Sequence, residues 1–193
     1  MPTSNTIGFA IVGTGSIAEN HAGAIEAVEH AELRAVTNRT AEKAKTFVQS
    51  FPADIEPDLE SLLNRDDVDV VCITTPTGNH AEVALPAFQA GKHVLCEKPL
   101  DINLERIDRM IAAARENNRI LASVFQSRFG AGAKTLKNAV EQGRFGQLTV
   151  CNVKTKWWRS QEYYDSGGWR GTWEIDGGGA LMNQGIHGVD LLQ

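Results

Sequence analysis

The chain has 193 residues, 42% of them hydrophobic and 22% charged, with a formal net charge of −5. That is room for one full domain and part of a second, with the balance of an ordinary globular protein. An acidic chain offers no basic surface to a phosphate backbone, and no stretch approaches the roughly 20 apolar residues of a membrane span, so nucleic acid and membrane are not expected partners.

The opening "MPTSNT" lacks the basic start and apolar run of a signal peptide and reads as cytoplasmic. The first apolar run, "IGFAIV" (7–12), precedes "SIAENHAGAIEAV" at helical spacing. Then come "LRAVT" (33–37) and the helical "TAEKAKTFVQSF". "VDVVCIT" (68–74) leads through "EVALPAFQA", with Gly91 placed as its C-cap, to "HVLC" (93–96). "NLERIDRMIAAARENN" then leads to "ILASV" (120–124). These runs are continuous rather than alternating, as in strands buried on both faces of a parallel sheet. Strands regularly separated by helices predict a doubly wound α/β domain, the Rossmann arrangement, over 1–124.

Residues 125–193 read differently. "AGAKTLKNAVEQGRF" (131–145) predicts a helix and "QLTVCNVKTKWW" (147–158) a single, partly alternating strand. All four Trp and both Tyr fall between Trp157 and Trp173, and a last helix follows from "GGGALMNQGIHG". Cys72, Cys96 and Cys151 are an odd number with no C-x-x-C pair, which points to neither disulfides nor a metal site; all three are expected as reduced core residues.

The first strand runs into Gly13, Gly15 and Ala18, a G-x-G-x-x-A turn that opens a helix with Ser16 and Ile17. The first glycine makes the tight turn, the second lets the backbone approach a pyrophosphate, and the third small residue lets helix pack on strand. The N–H groups of that helix terminus then face the anion. Folds that prefer NAD usually carry an acid at the end of the second strand, about 20 residues on, for the ribose hydroxyl. Here "TNRT" supplies Asn38 and Arg39, with Lys43 one helical turn later. Arg39 paired with a 2′-phosphate through a charge-assisted bond of about 1.5–3 kcal/mol would favour NADP over NAD by roughly 10- to 100-fold. Arg39 stacked on the adenine of either cofactor is the alternative.

"CEKPL" sets Glu97 and Lys98 at the carboxyl end of a parallel strand, where open α/β sheets bind ligands. A lysine there holds a substrate hydroxyl, or is simply a solvated surface cation. With "GTGSIAENH" (13–21), "TTPTGNHAEVALPAFQAGKHVLCEKPL" (74–100) and "DGGGALMNQGIHGVDLLQ" (176–193), the chain resembles the glucose-fructose oxidoreductase/inositol dehydrogenase/MocA family of nicotinamide-dependent dehydrogenases over essentially its whole length. The resemblance implies hydride transfer between NAD(P) and a secondary hydroxyl of a sugar, sugar derivative or cyclitol. It implies that Lys98 positions that hydroxyl, and that Thr75, Pro76, Asn79 and His80 line the nicotinamide half of the cofactor. It further implies that 125–193 begins an α+β substrate and oligomerisation domain, that this is the N-terminal part of a longer protein, and that the full-length protein is a homo-oligomer.

In "GGALMNQGIHGVD" Asn183, His187 and Asp190 stand at i, i+4 and i+7, one face of a helix, with Met182, Ile186 and Val189 as the apolar face beside it. By the resemblance His187 is the general acid or base, a task that suits an imidazole titrating near operating pH. Asp190 either orients His187 or is a surface acid. Asn183 stands where the family has aspartate and carries no charge, so the chain either works through His187 and Lys98 or is a non-catalytic dinucleotide-binding module. In the aromatic loop, Arg159 and Trp169 are candidates for substrate contact: aromatic faces and guanidinium groups suit a sugar pocket, and equally a packing surface.

Overall fold

A computed structural model describes residues 6–193. The chain divides into two compact units, with the division between Ser123 and Val124.

The first unit is a six-stranded parallel sheet: β1 (Ile7–Val12), β2 (Ala31–Thr37), β3 (Asp54–Ile55), β4 (Val70–Ile73), β5 (His93–Cys96) and β6 (Leu121–Ser123). Their order across the sheet is 3-2-1-4-5-6. Side chains alternate faces along each strand, and here both faces are apolar. Ala10 and Val12 of β1, with Val71 and Ile73 of β4, enter one buried cluster; Ile11 and Cys72 enter the other.

Helices α1 (Ser16–Glu26) and α2 (Ala41–Ser50) cover the second cluster through Ala18, Ala22, Ile25, Ala44 and Phe47. Helices α3 (Leu59–Leu63), α4 (His80–Gln89) and α5 (Leu104–Glu116) cover the first through Leu62, Phe88 and Met110, all fully buried. The five strands expected over 1–124 all form, and α4 ends at Gln89 with Ala90 as its C-cap and Gly91, the expected cap, one residue later at φ +73°. β3 and α3 were not expected. β3 is two residues paired to β2, and α3 is one short turn started by the Asp58 carboxylate, which accepts from Ser61 N–H at 2.8 Å. Beside β3, Arg65 pairs with Asp54, Glu56 and Asp67 at 2.7 to 2.9 Å.

The second unit holds α6 (Ala131–Glu141), α7 (Gln161–Asp165), a π-helical turn (Leu181–Gly185) and α8 (Ile186–Leu192). Two expectations are corrected here. The strand expected at 147–158 does not form: no described segment pairs with it, and an extended backbone without a neighbour makes no ladder. Cys151, on that segment, is exposed rather than a core residue, whereas Cys72 and Cys96 are buried; all three are free thiols. Among the described residues no helix is long and apolar enough to cross a membrane.

Candidate functional site

The glycine turn lies at the carboxyl end of β1. Gly13 has φ +95°, and a Cβ there would sit 3.1 Å from the Thr74 carbonyl and from Thr75 Cγ2, so glycine is required on both counts. A Cβ on Gly15 would meet no atom within 4 Å, which leaves the start of α1 open, with no side chain capping it, through Ser16 and Ile17. An open helix terminus reached through glycine fits a dinucleotide pyrophosphate. A cleft of about 460 Å³ beside the turn is lined by Thr14, Gly15 and Ser16 and by Lys43, Thr46 and Phe47 of α2.

At the end of β2 the Asn38 amide is fixed on both sides. Its Nδ2 donates to Thr14 Oγ1 at 2.6 Å and its Oδ1 accepts from Thr40 N–H at 2.9 Å. Asn38 therefore ties β2 to the glycine turn, while Arg39 is exposed beside it.

The segment after β4 carries Thr75, Pro76 and Asn79. Thr75 and Pro76 are half-buried, and Thr75 Oγ1 is buried without a hydrogen-bond partner among the described residues. Asn79 is the residue before α4. His80 is 1% exposed, its Nε2 3.0 Å from Thr75 O and its Nδ1 3.0 Å from Pro99 O and 3.2 Å from Leu100 O. Burial pushes the imidazole pKa down despite those three carbonyls. The ring thus braces the two segments between which it lies.

β5 ends at Cys96, and Glu97 N–H still donates to Ile73 O at 3.0 Å. Glu97 is 8% exposed; its Oε1 is 2.9 Å from His21 Nε2 of α1 and its Oε2 accepts from Lys98 N–H at 3.2 Å. Burial pushes this carboxyl up, but His21 together with the Lys98 N–H and charge outweighs it and holds the pKa below the ordinary value. Lys98 itself is half-buried, and the Lys98–Pro99 peptide is cis. Asp101, just beyond, is 1% exposed and accepts from Ile102 N–H at 2.8 Å, from Asn103 N–H at 3.2 Å and from Ala81 N–H at 3.3 Å, linking the starts of α4 and α5.

In the second unit the polar face expected across Asn183, His187 and Asp190 is redistributed. The π-helical turn contains Asn183 and gives way to α8 only at Ile186, so 183 and 187 are not successive positions of one α-helical face. Asn183 Nδ2 donates to Asp176 Oδ1 at 2.8 Å and its Oδ1 accepts from Tyr163 O–H at 3.0 Å. Asp176 is 1% exposed and also accepts from Gly171 N–H at 2.8 Å. Asp190 pairs instead with Arg128, which donates from both Nε and Nη2.

His187 is buried, with the Phe125 ring edge-on at 6.1 Å. The apolar face expected of Met182, Ile186 and Val189 is corrected as well: the buried members of this stretch are Gln184 and His187, and Val189 is 46% exposed. Arg159 donates from Nε and Nη2 to Gln184 Oε1 at 3.2 and 3.0 Å and lies 4.9 Å over the Tyr163 ring. Arg170 lies 4.5 Å over the same ring and 5.5 Å over that of Trp169, which is half-buried; Trp157, Trp158 and Trp173 are largely exposed. Among the described residues no group of three or more His, Cys, Asp or Glu is placed to hold a metal ion.

Sequence reasoning missed His21, Asp101, Asp176 and Tyr163 as supports of these side chains. His21 alone carried a signal, an imidazole on the otherwise apolar stripe Ala18, Ala22, Ile25 of α1.

Residues 7–125 match the family model described as "Oxidoreductase family, NAD-binding Rossmann fold", and 133–193 match the GFO/IDH/MocA C-terminal domain. The WlbA dehydrogenase of Chromobacterium violaceum, solved with NADH and UDP-GlcNAcA, is 41% identical with a TM-score of 0.94, covering 100% of this chain and 55% of that one. The WlbA dehydrogenase of Bordetella pertussis, solved with the same two ligands, is 39% identical with a TM-score of 0.94, covering 100% and 56%. The D-glucoside 3-dehydrogenase of Escherichia coli is 31% identical, covering 97% of this chain and 53% of its own length. The chain spans about half the length of the curated relatives it matches.

Proposed function

Since this chain belongs to the GFO/IDH/MocA oxidoreductase family, we propose that the protein interconverts a secondary hydroxyl of a nucleotide-linked sugar acid and the corresponding ketone by hydride transfer to or from a nicotinamide dinucleotide. The observation that carries the reading is the glycine turn with open space over Gly15, at the same carboxyl end of the parallel strands as Glu97 and Lys98. When bound, the nicotinamide supplies the hydride acceptor or donor. Ser16 and Ile17 of the α1 terminus hold the pyrophosphate, Thr75, Pro76 and Asn79 line the nicotinamide half, and His80 acts on it through the segments it braces.

Lys98 holds the substrate hydroxyl, and His187 takes or returns its proton. Asn183, held between Asp176 and Tyr163, positions rather than transfers. Arg159 and Trp169 contribute to a substrate region in which guanidinium groups suit a sugar carboxylate, in keeping with the UDP-GlcNAcA of the two WlbA dehydrogenase complexes. The full-length protein works as a homo-oligomer.

The preferred cofactor is NADP(H), because Asn38 offers no carboxylate to repel a 2′-phosphate and Arg39 is exposed beside it. The NADH of the WlbA dehydrogenase complexes favours the second reading, NAD(H). Calorimetric titration with both cofactors separates them. NADP(H) is expected to bind about 10- to 100-fold more tightly, with Arg39→Ala removing the difference. Tighter NAD(H) binding reverses the preference, and binding of neither by a folded chain overturns the dinucleotide reading. Asn183 in place of the family's aspartate favours one further alternative, a module that binds cofactor without turnover. Reduced cofactor appearing at 340 nm when the full-length protein meets a UDP-linked uronic acid excludes that alternative.

A further inference from the structure

We propose that His21 is a positioning residue for Lys98, acting through the Glu97 carboxylate; this rests on the assignment of Lys98 to the substrate hydroxyl made above. Its neighbours on the inward stripe of α1 are Ala18, Ala22 and Ile25, and the ring is 7% exposed. An apolar side chain would pack there at least as well, because a buried ionisable pair loses in desolvation much of what it gains in attraction. The partner explains the choice. One oxygen of Glu97 lies 2.9 Å from His21 Nε2 while the other accepts from the Lys98 N–H at 3.2 Å.

The sheet ladder holds this strand as far as Glu97 N–H on Ile73 O, one residue short of Lys98. At the next residue the Lys98 N–H donates to the Glu97 carboxylate, and His21 anchors that carboxylate. The anchor sits on the helix that opens with the glycine turn, so the terminus meant for the pyrophosphate and the peptide carrying Lys98 are tied through one side-chain contact. The other titratable groups facing Glu97 are Lys98 and the thiols of Cys72 on β4 and Cys96 on β5. Burial, then the Glu97 charge, pushes both thiols up, Cys72 to about 12, so they stay neutral near pH 7.

The test is pulse acetylation of the full protein with trace acetic anhydride from pH 6 to 11, read by peptide mass spectrometry. Lys92, whose Nζ donates to Arg65 O at 2.6 Å away from this contact, is the internal reference. In His21→Ala and in Glu97→Gln the acetylation rate of Lys98 relative to Lys92 is expected to change at least threefold at fixed pH. His21→Gln, which keeps a donor, is expected to restore most of it. A His21→Ala protein that melts at lower temperature yet keeps the wild-type Lys98 profile overturns the proposal and leaves His21 a core filler. Should His21→Ala fail to fold, the near-isosteric Glu97→Gln decides, and an unchanged Lys98 profile there overturns it equally. The readout needs no turnover, so a wild-type protein that oxidises no sugar refutes the role of Lys98 without altering this result.

Discussion

The two units are ordered by different forces. In the first, apolar side chains are removed from water on both faces of the sheet, with Ile11, Val36, Ile73 and Phe88 at 0% exposure. In the second, the buried residues among those described are Asp176, Gln184 and His187, and no hydrophobic side chain is buried. Leu136 of α6 is 55% exposed and Trp158 82%. Full burial of one large apolar side chain stabilises by about 1.5–3 kcal/mol, and a hydrogen bond by a net of roughly 0.5–1.5 kcal/mol. Burial is non-directional and tolerates variation in shape; the Asn183, Asp176 and Tyr163 contacts work only in one arrangement.

The contrast is broken most forcefully at Phe88. Phe88→Ala is expected to destabilise the first unit by about 3–5 kcal/mol through lost transfer energy and a residual cavity, measured as a lowered urea midpoint with unchanged slope. In the second unit the largest effect is expected from Asn183→Asp, which sets a second carboxylate against Asp176 where the amide now donates at 2.8 Å. We expect a loss of about 1–3 kcal/mol at pH 7. The pair must share a proton, so its upper pKa is raised in the fold. The penalty is therefore full above that raised value and disappears below the unfolded carboxyl value, and thermal melts from pH 3 to 8 check that sign.

Glu97 gives the opposite sign. Its folded pKa lies below the ordinary value of 4.5, so its contribution is present above that value and is lost as pH falls through the depressed one. Glu97→Gln is expected to flatten the acid limb of the first unit's stability curve, read from urea midpoints between pH 2.5 and 6. The smallest effect is expected at Trp158→Ser, within about 0.5 kcal/mol, because an 82% exposed ring has little burial to lose. A larger loss in a urea titration would show that the second unit relies on apolar contact after all.

The same difference decides what the sequence makes legible. Continuous runs such as "IGFAIV" and "HVLC" declare buried parallel strands because burial on both faces demands them, and those strands lie where the runs are. β3 is silent because "DI" is too short to form a run, and it is held by pairing to β2 with Arg65 and its three carboxylates alongside. The glycine turn and the E-K-P segment are legible because each needs particular residue types at fixed spacing. The π-helical turn is not: what surrounds it depends on Asn183 bonding to residues 7 and 20 positions away, which local spacing does not encode. The strand expected at 147–158 shows the converse, since alternation states a preference and a ladder needs a partner.

The placement of the three thiols makes the molecule its own reporter. Cys151 is exposed, whereas Cys72 and Cys96 are buried with pKa values pushed up by burial, so a maleimide at neutral pH modifies the folded chain at Cys151. The two remaining thiols react only through openings of the sheet. Their labelling rate therefore measures the opening equilibrium of the first unit, while a fluorophore on Cys151 follows the second, in one sample and without a substitution.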